Sequence, residues 1–300
     1  MFAGIHAATT TPMKSDGSLD EAQARSQIEF LRDQGTVIGY LVNGHAGENP
    51  YLSLEEQIAN VRLTRELHPG AVITGGVCAE DPGLSVRTIA ALAKAGANAA
   101  LIFPPWSLVG KGSRASLKHY YASVCAASEL PIVLYKPAVF SVQAISVEDM
   151  IELSALPKVV AIKEGSWEVI EYEHMREAIQ KAAPQISVLG SSDEHFFYNY
   201  LSGNVGCQAS LVTVLPDPIS KMVELIKRGA IGEAHELHSR LAPIARYIYR
   251  TGSASDMVAR LKLGLVIRGV IDTPHFRAPR EPIRPEEENE MRSMISNILR

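Results

Sequence analysis

The sequence has little cysteine and no long apolar run. Its three cysteines, Cys78, Cys125 and Cys207, lie far apart and form no Cys-x-x-Cys motif. This pattern excludes a disulfide framework and a zinc cluster, and the odd count is typical of a reducing compartment. Gly, Asn and Pro interrupt the most apolar stretch, residues 95–105, well before it reaches the length of a membrane span.

The chain also lacks a strong excess of either charge. It has 29 basic and 33 acidic residues, a net charge of −4, with no basic stripe and no block of like charge. Nucleic-acid binding is therefore not expected. The first residues contain neither a basic segment nor an apolar run of signal-peptide length, so we expect a soluble cytoplasmic protein. The 46% of hydrophobic residues excludes disorder and provides for a large core.

Short β-rich runs alternate with stretches of helical period. The predicted strands are Gly4–Thr11, Val37–Asn43, Ala71–Val77, Ala99–Phe103, Pro131–Tyr135, Lys158–Lys163, Ile186–Gly190 and Val205–Ser210. The predicted helices between the first of these strands are Leu19–Asp33, Ser53–Leu67, Leu84–Ala95 and Ala115–Ala127. Several strands are continuously apolar, which is typical of parallel strands buried on both faces. Eight such units predict an α/β fold, a (β/α)₈ TIM barrel, although an open doubly wound sheet has similar local patterns.

The barrel is predicted to be complete by about residue 228. A chain of 300 residues is longer than the roughly 250 that one such barrel uses. The remainder contains helical patterns and no strand pattern, at Ile231–Tyr249, Ser253–Gly269 and Pro285–Leu299. We therefore predict a catalytic barrel over residues 1–228 and a C-terminal helical region over 229–300 that helps to hold subunits together.

Two reactive side chains are expected at adjacent strand ends. Lys163 closes the sixth apolar strand, where burial lowers the pKa of a lysine and provides a neutral amine for Schiff-base formation. The alternative is an ion pair between Lys163 and its neighbour Glu164. Tyr135 closes the fifth strand, 28 residues or one βα unit earlier, and a phenol there can transfer protons. Alternatively, Tyr135 packs in the barrel and bonds a loop.

The second strand ends in a short turn that is suited to an anion. In the turn Gly44-His45-Ala46-Gly47, two glycines bracket a pair of residues, and their backbone N–H groups can converge on a carboxylate. The alternative is a turn whose glycines are needed only for positive φ. His45 is a candidate general base or a loop donor.

Gln208 on the eighth strand is a candidate substrate hydrogen-bond donor or a satisfied polar group of the barrel.

The sequence resembles the dihydrodipicolinate synthase and N-acetylneuraminate lyase superfamily of class I aldolases over essentially its whole length. The motifs that carry the resemblance are Gly4 with Thr11-Pro12, Gly44–Glu48 followed by Leu52-Ser53-x-Glu55-Glu56, Tyr135, Ile162-Lys163-Glu164, Gly190-Ser-Ser-Asp193, Gly203-x-x-Gly206, Lys262-x-x-Leu265 and Arg277-x-Pro279-x-x-Pro282. The resemblance implies a Schiff-base role for Lys163, proton transfer by Tyr135 and carboxylate binding by His45, Ala46 and Gly47. It also implies a homotetramer built as a dimer of dimers, and neither a metal nor an organic cofactor.

Three departures from the family pattern bear on the substrate. His45-Ala46 replaces a hydroxyl pair in the turn, and Trp106 lies near the position of a tyrosine that reaches a neighbouring subunit. Phe140 lies at or near the place of an arginine that binds the second substrate's carboxylate, and Trp106 and Phe140 predict a distal pocket less suited to anions.

We therefore predict a lyase that acts on pyruvate or a related 2-oxo acid through a lysine iminium and enamine. The alternatives are dihydrodipicolinate synthase itself, a 2-keto-3-deoxy sugar acid dehydratase and a non-catalytic oxo-acid-binding protein.

Overall fold

Strands and helices alternate in the computed structural model, which describes residues 1–109, 113–139, 141–191, 193–277 and 279–300. The strands are β1 (Gly4–Ala8), β2 (Val37–Val42), β3 (Val72–Val77), β4 (Ala99–Ile102), β5 (Ile132–Lys136), β6 (Val159–Glu164), β7 (Ser187–Gly190) and β8 (Gly206–Ala209). The helices are α1 (Glu21–Asp33), α2 (Leu54–Leu67), α3 (Pro82–Ala95), α4 (Arg114–Ala127), α5 (Val147–Ser154), α6 (Val169–Ala182), α7 (Phe196–Leu201), α8 (Leu211–Val214), α9 (Pro216–Lys227), α10 (Ile231–Arg250), α11 (Ala254–Ile267) and α12 (Pro285–Leu299).

The strands close into one parallel barrel. Each strand pairs with the next along the chain, and β1 pairs with β8, so the sheet has no free edge. The predicted (β/α)₈ TIM barrel is confirmed, and the open doubly wound sheet is excluded. Because all strands run in the same direction, their carboxyl ends meet at one rim, where active sites of such barrels lie.

Local sequence signals account for where the helices begin. Ser53 and Glu56 form the predicted capping box of α2: the Glu56 N–H donates to Ser53 Oγ at 3.2 Å, and the Ser53 N–H donates to Glu56 Oε2 at 2.9 Å. Pro82, Pro216 and Pro285 occupy the first positions of α3, α9 and α12, where a missing N–H costs nothing.

The C-terminal helices α10, α11 and α12 pack on each other, α10 also packs on α9, and α11 packs on α8, which follows β8. A Cβ added at Gly264 of α11 would lie 2.7 Å from Val214 of α8, so only glycine allows this close approach. The guanidinium of Arg277 bonds Glu56 at 2.5 and 2.7 Å and ties the segment after α11 to α2. No helix in the described ranges combines the length and the apolar character that a membrane span requires.

Candidate active site

Lys163 and Tyr135 lie side by side at the rim, as the spacing of one βα unit predicts. They are direct partners in the register of β5 and β6, and the Lys163 ammonium lies 5.3 Å from the centroid of the Tyr135 ring. Tyr135 is buried, and Lys163 is partly exposed. An amine that can attack a carbonyl is therefore next to a phenol that can carry a proton.

The surroundings of Lys163 favour its neutral form. Burial lowers the pKa of Lys163 to about 8, and the negative charge of Asp193 opposes this shift. Burial also raises the pKa of Asp193 to about 6 and that of Tyr135 well above its usual value. The phenol stays protonated at neutral pH, while a useful fraction of the lysine is uncharged.

The alternative pairing of Lys163 with Glu164 is wrong, because neighbours on a strand point to opposite faces. The Glu164 carboxylate accepts from the Ser166 N–H at 2.9 Å, and burial raises the pKa of Glu164 to about 7. Lys136, which follows Tyr135, also points away from the barrel interior and pairs with Glu171 at 2.8 Å. Within the described ranges, no carboxylate lies within 4.0 Å of the Lys163 ammonium.

The turn after β2 is held in place by its neighbours. Thr11 Oγ1 donates to the Gly47 carbonyl at 2.8 Å, and the Asn49 amide donates to the carbonyls of Asn43 and Gly76 at 2.8 and 3.1 Å. Among the described residues, the N–H groups of His45, Ala46 and Gly47 donate to no protein acceptor. These three amides are available to a ligand carboxylate, as an anion nest requires.

The two glycines of this turn do not have the positive φ that the alternative interpretation of the turn requires. Asn43 and Glu48 on either side have φ values of 58° and 57° instead. A Cβ at Gly47 would lie 3.1 Å from the Asn43 Cα, and one at Gly44 would lie 3.2 Å from the Leu41 side chain. The glycines are therefore explained by tight packing rather than by backbone conformation.

His45 faces the cavity with its ring against two aromatic side chains. Its centroid lies 4.5 Å from that of Phe103 and 5.4 Å from that of Tyr135, edge-on to the latter. Partial desolvation in this position and the nearby Lys163 charge lower the pKa of His45. The imidazole is therefore neutral at neutral pH, and it can accept or donate a hydrogen bond without carrying charge.

A cavity of about 490 Å³ opens above Tyr135 and His45. Trp106 lines this cavity from a 3₁₀ turn, and its backbone N–H donates to Glu80 Oε1 at 2.7 Å. Phe140 lies outside the described residues, although Ala138 and Ser141 on either side line the cavity.

Gln208 is not part of this cavity wall, so its predicted contact with substrate has no support from its position. It lies inside the barrel on β8, fully buried, and donates to Thr74 Oγ1 at 2.9 Å.

Sequence reasoning missed three aromatic residues of the cavity wall, Tyr51, Trp167 and Tyr249. Trp167 follows β6 with a φ of 68°, and its ring meets that of Tyr249 edge-on at 5.0 Å. The position of Trp167 in a loop after a strand end could have marked it. Tyr249 belongs to α10, and no pattern within that helix shows that it reaches the barrel.

Asp193 precedes α7, where an aspartate is expected to cap the helix, but its side chain makes no such cap. Its carboxylate accepts hydrogen bonds from the N–H of Leu211, the first residue of α8, and from the Tyr249 hydroxyl at 2.9 Å. The carboxylate thus holds together two elements that are distant in sequence.

The parallel barrel and the lysine amine at its rim are the elements that an enzyme acting through a Schiff base requires. A model of the "Dihydrodipicolinate synthetase family" matches residues 1–298. The chain belongs to this family.

Relatives of the chain extend over nearly its whole length. The 4-hydroxy-tetrahydrodipicolinate synthase of Bifidobacterium longum is 29% identical over 279 residues, 93% of this chain and 88% of that protein. The synthase of Bacillus subtilis is 26% identical over 303 residues, 99% of each chain. The solved structure of YagE, a prophage protein of this family from E. coli K12 in complex with pyruvate, superposes with a TM-score of 0.91 at 22% identity and covers 100% of this chain and 99% of its own.

Proposed function

We propose that this enzyme forms a Schiff base between Lys163 and pyruvate or a related 2-oxo acid, and makes or breaks a bond at the adjacent carbon. The observation that carries the proposal is the Lys163 amine, whose pKa is lowered to about 8, 5.3 Å from the Tyr135 ring. At pH about 7 such an amine is about one-tenth neutral, whereas an ordinary lysine is neutral in about one molecule in 2,500.

The surrounding groups suit each step of this reaction. The free amides of His45, Ala46 and Gly47 bind the substrate carboxylate, and the Lys163 amine attacks the keto carbon. Loss of water leaves an iminium ion, which accepts the electron pair when a C3 proton leaves or a C3–C4 bond breaks. The phenol of Tyr135 moves the protons, and neutral His45 takes the place of the hydroxyl pair as a hydrogen-bond partner.

Borohydride trapping tests the proposal. The protein is incubated with pyruvate, reduced and digested, and the modified peptide is identified by mass spectrometry. We expect a single adduct on Lys163 and none in a Lys163→Arg variant. Lys136 is the matched internal control and should carry no adduct, because it also lies at the end of a strand but is buried in an ion pair with Glu171. The proposal fails if no 2-oxo acid gives an adduct on Lys163.

The second candidate is 4-hydroxy-tetrahydrodipicolinate synthase activity, favoured by the names of the relatives of 24–29% identity. Its additional requirement is a binding site for a second substrate that carries a carboxylate. A coupled assay measures product formation from pyruvate and an aldehyde that carries a carboxylate. Product formation with this aldehyde separates the synthase from other lyases that use the same Schiff base. The homotetramer stays a prediction, which sedimentation equilibrium checks.

A further inference from the structure

The candidate site has more room than its 2-oxo acid needs. The cavity of about 490 Å³ lies within the roughly 300–1,000 Å³ range that holds drug-sized ligands, whereas pyruvate has three carbons. Tyr135 and His45 line one end of this cavity, and the Lys163 ammonium lies 5.3 Å from the Tyr135 ring. The remainder is therefore available to the second reactant, and its wall indicates what that reactant is.

Aromatic and aliphatic side chains form most of this remaining wall. They come from the loops after β2, β4, β5 and β6 and from α10 and α11. The larger members are Tyr51, Trp106, Pro137, Trp167, Tyr249, Met257 and Val258, and the smaller ones are Pro50, Ala138 and Ala254. A wall of this kind binds an apolar body by burial and by contact with ring faces and edges.

Contacts of both its backbone and its ring hold Trp167 in place. Its φ of 68° is rare for a bulky residue, and such backbone conformations concentrate at functional sites. Its carbonyl accepts from Arg250 at 2.5 Å and is 3.2 Å from His195 Nε2, while its ring packs edge-on against Tyr249 at 5.0 Å. The loop therefore holds the indole as a preformed aromatic surface over the cavity.

Among the described residues that line the cavity, none is lysine or arginine. Glu48 is the one with a formal charge, and its carboxylate is buried against Lys262 at 2.5 Å and the Arg277 N–H at 2.8 Å. Lys136 points away from the barrel interior into its pair with Glu171. A second carboxylate in this part of the cavity would lose its hydration and find no cation in the described wall.

We propose that the second reactant is a neutral aldehyde with an aromatic or similarly bulky apolar body; this rests on the proposed function. Carbon C3 of the Lys163 enamine attacks the aldehyde carbon, a C–C bond forms, and the carbonyl π electrons move to oxygen. That oxygen gains one proton, which balances the proton lost from C3 when the enamine formed. Water then hydrolyses the iminium ion, frees the Lys163 amine and releases a 4-hydroxy-2-oxo acid.

Matched pairs of aldehydes test the proposal with pyruvate as the donor. Benzaldehyde is compared with 4-carboxybenzaldehyde, and butanal with succinic semialdehyde, so that each pair differs by one carboxylate. We expect kcat/KM to be about tenfold or more higher for the neutral member of each pair, and highest for benzaldehyde. Equal or higher efficiency with the carboxylated members overturns the proposal. A Lys163 adduct with pyruvate but no turnover of any of the four aldehydes also overturns it, while leaving the Schiff base intact; absence of the adduct would instead refute the proposed function.

Substitutions in the cavity wall provide a second, independent test of the proposal. Trp167→Gly removes the indole at a φ that glycine adopts without strain, and should lower kcat/KM for benzaldehyde about tenfold or more. Ser255→Arg places a cation in the cavity wall and should shift the preference toward 4-carboxybenzaldehyde. Ile170→Ala, at a side chain of α6 that is 82% exposed, is the control. It should change neither the kcat/KM for benzaldehyde nor the preference between the two aromatic aldehydes.

Exchange of the pyruvate methyl protons with deuterated water, followed by NMR, shows whether each variant still forms the enamine. This exchange needs no second reactant, so it separates damage to the aldehyde site from damage to the fold. Retained exchange with an unchanged benzaldehyde kcat/KM in Trp167→Gly contradicts the proposal.

Discussion

Replacing Lys262 by methionine should destabilise the protein strongly, because the change leaves a carboxylate buried without its cation. Lys262 and Glu48 both have fully buried side chains, and their charged atoms lie 2.5 Å apart. The Lys262 ammonium also donates to the His275 carbonyl at 2.7 Å. Breaking one side of a buried ion pair costs about 3–5 kcal/mol of the free energy of unfolding.

Urea denaturation followed by circular dichroism measures this cost. The matched control is Arg228→Met, which breaks an exposed pair with Glu224 at 3.3 Å and should cost less than about 1 kcal/mol. The double variant Lys262→Met with Glu48→Gln removes both charges, and we expect it to be more stable than the sum of the two single losses predicts. Strictly additive losses, or a Lys262→Met cost no larger than that of the control, would refute the reasoning.

The same variant should also weaken substrate binding. Glu48 ends the turn at 44–47: its N–H donates to the His45 carbonyl at 3.0 Å, and its carboxylate accepts from the Arg277 N–H. If Lys262 holds this turn in position, Lys262→Met raises KM for pyruvate more than it lowers kcat. A purely structural role would instead reduce the amount of folded enzyme and leave KM unchanged.

Four further outcomes follow from the site and the fold. The initial rate of imine formation by Lys163 should rise about tenfold per pH unit up to about pH 8 and then level off, because only the neutral amine attacks; a flat profile between about pH 6 and 8 contradicts this. Asp193→Asn removes an anion that raises the pKa of Lys163, so the profile should move to lower pH, and an unchanged or higher midpoint refutes the assignment. Tyr135→Phe keeps the ring but loses the proton carrier, so borohydride trapping should persist while deuterium exchange at C3 slows about 10²–10⁴-fold; undiminished exchange would remove the phenol from the mechanism. Ser53→Ala removes the cap of α2 and should cost about 1 kcal/mol in urea denaturation, whereas Ser26→Ala at an exposed position within α1 should cost less.

The sequence was sufficient for the barrel and for the two central side chains. Apolar runs at a spacing of about thirty residues predict parallel strands, and carboxyl ends of parallel strands must meet at one rim. The distance of one βα unit between Tyr135 and Lys163 therefore translated directly into adjacency. The alternation of side chains along a strand also shows that Lys136 and Glu164 are not part of the site, because they follow Tyr135 and Lys163 directly and face outward.

The remainder of the cavity could not be predicted, because it depends on contacts between distant parts of the chain. Lys262 reaches Glu48 across 214 residues, and Tyr249 reaches Asp193 across 56. The C-terminal helices were expected to serve assembly, but Tyr249, Met257 and Val258 line the cavity. Periodicity within a helix shows which face is apolar; it does not show which strand end that face will cover.

The environment of Lys163 has to satisfy two opposite requirements. Attack on a keto carbon needs a neutral amine, which burial favours, but the iminium product is a cation, which burial alone would destabilise. The Asp193 carboxylate, with a pKa of about 6, is mostly charged at neutral pH and opposes the effect of burial on Lys163. We infer that the two effects together keep the pKa of Lys163 near 8, where the amine is available and the iminium ion still has a counter-charge. Asp193→Asn should therefore speed the attack at low pH and weaken the equilibrium binding of the adduct, a combination that a simple loss of structure would not produce.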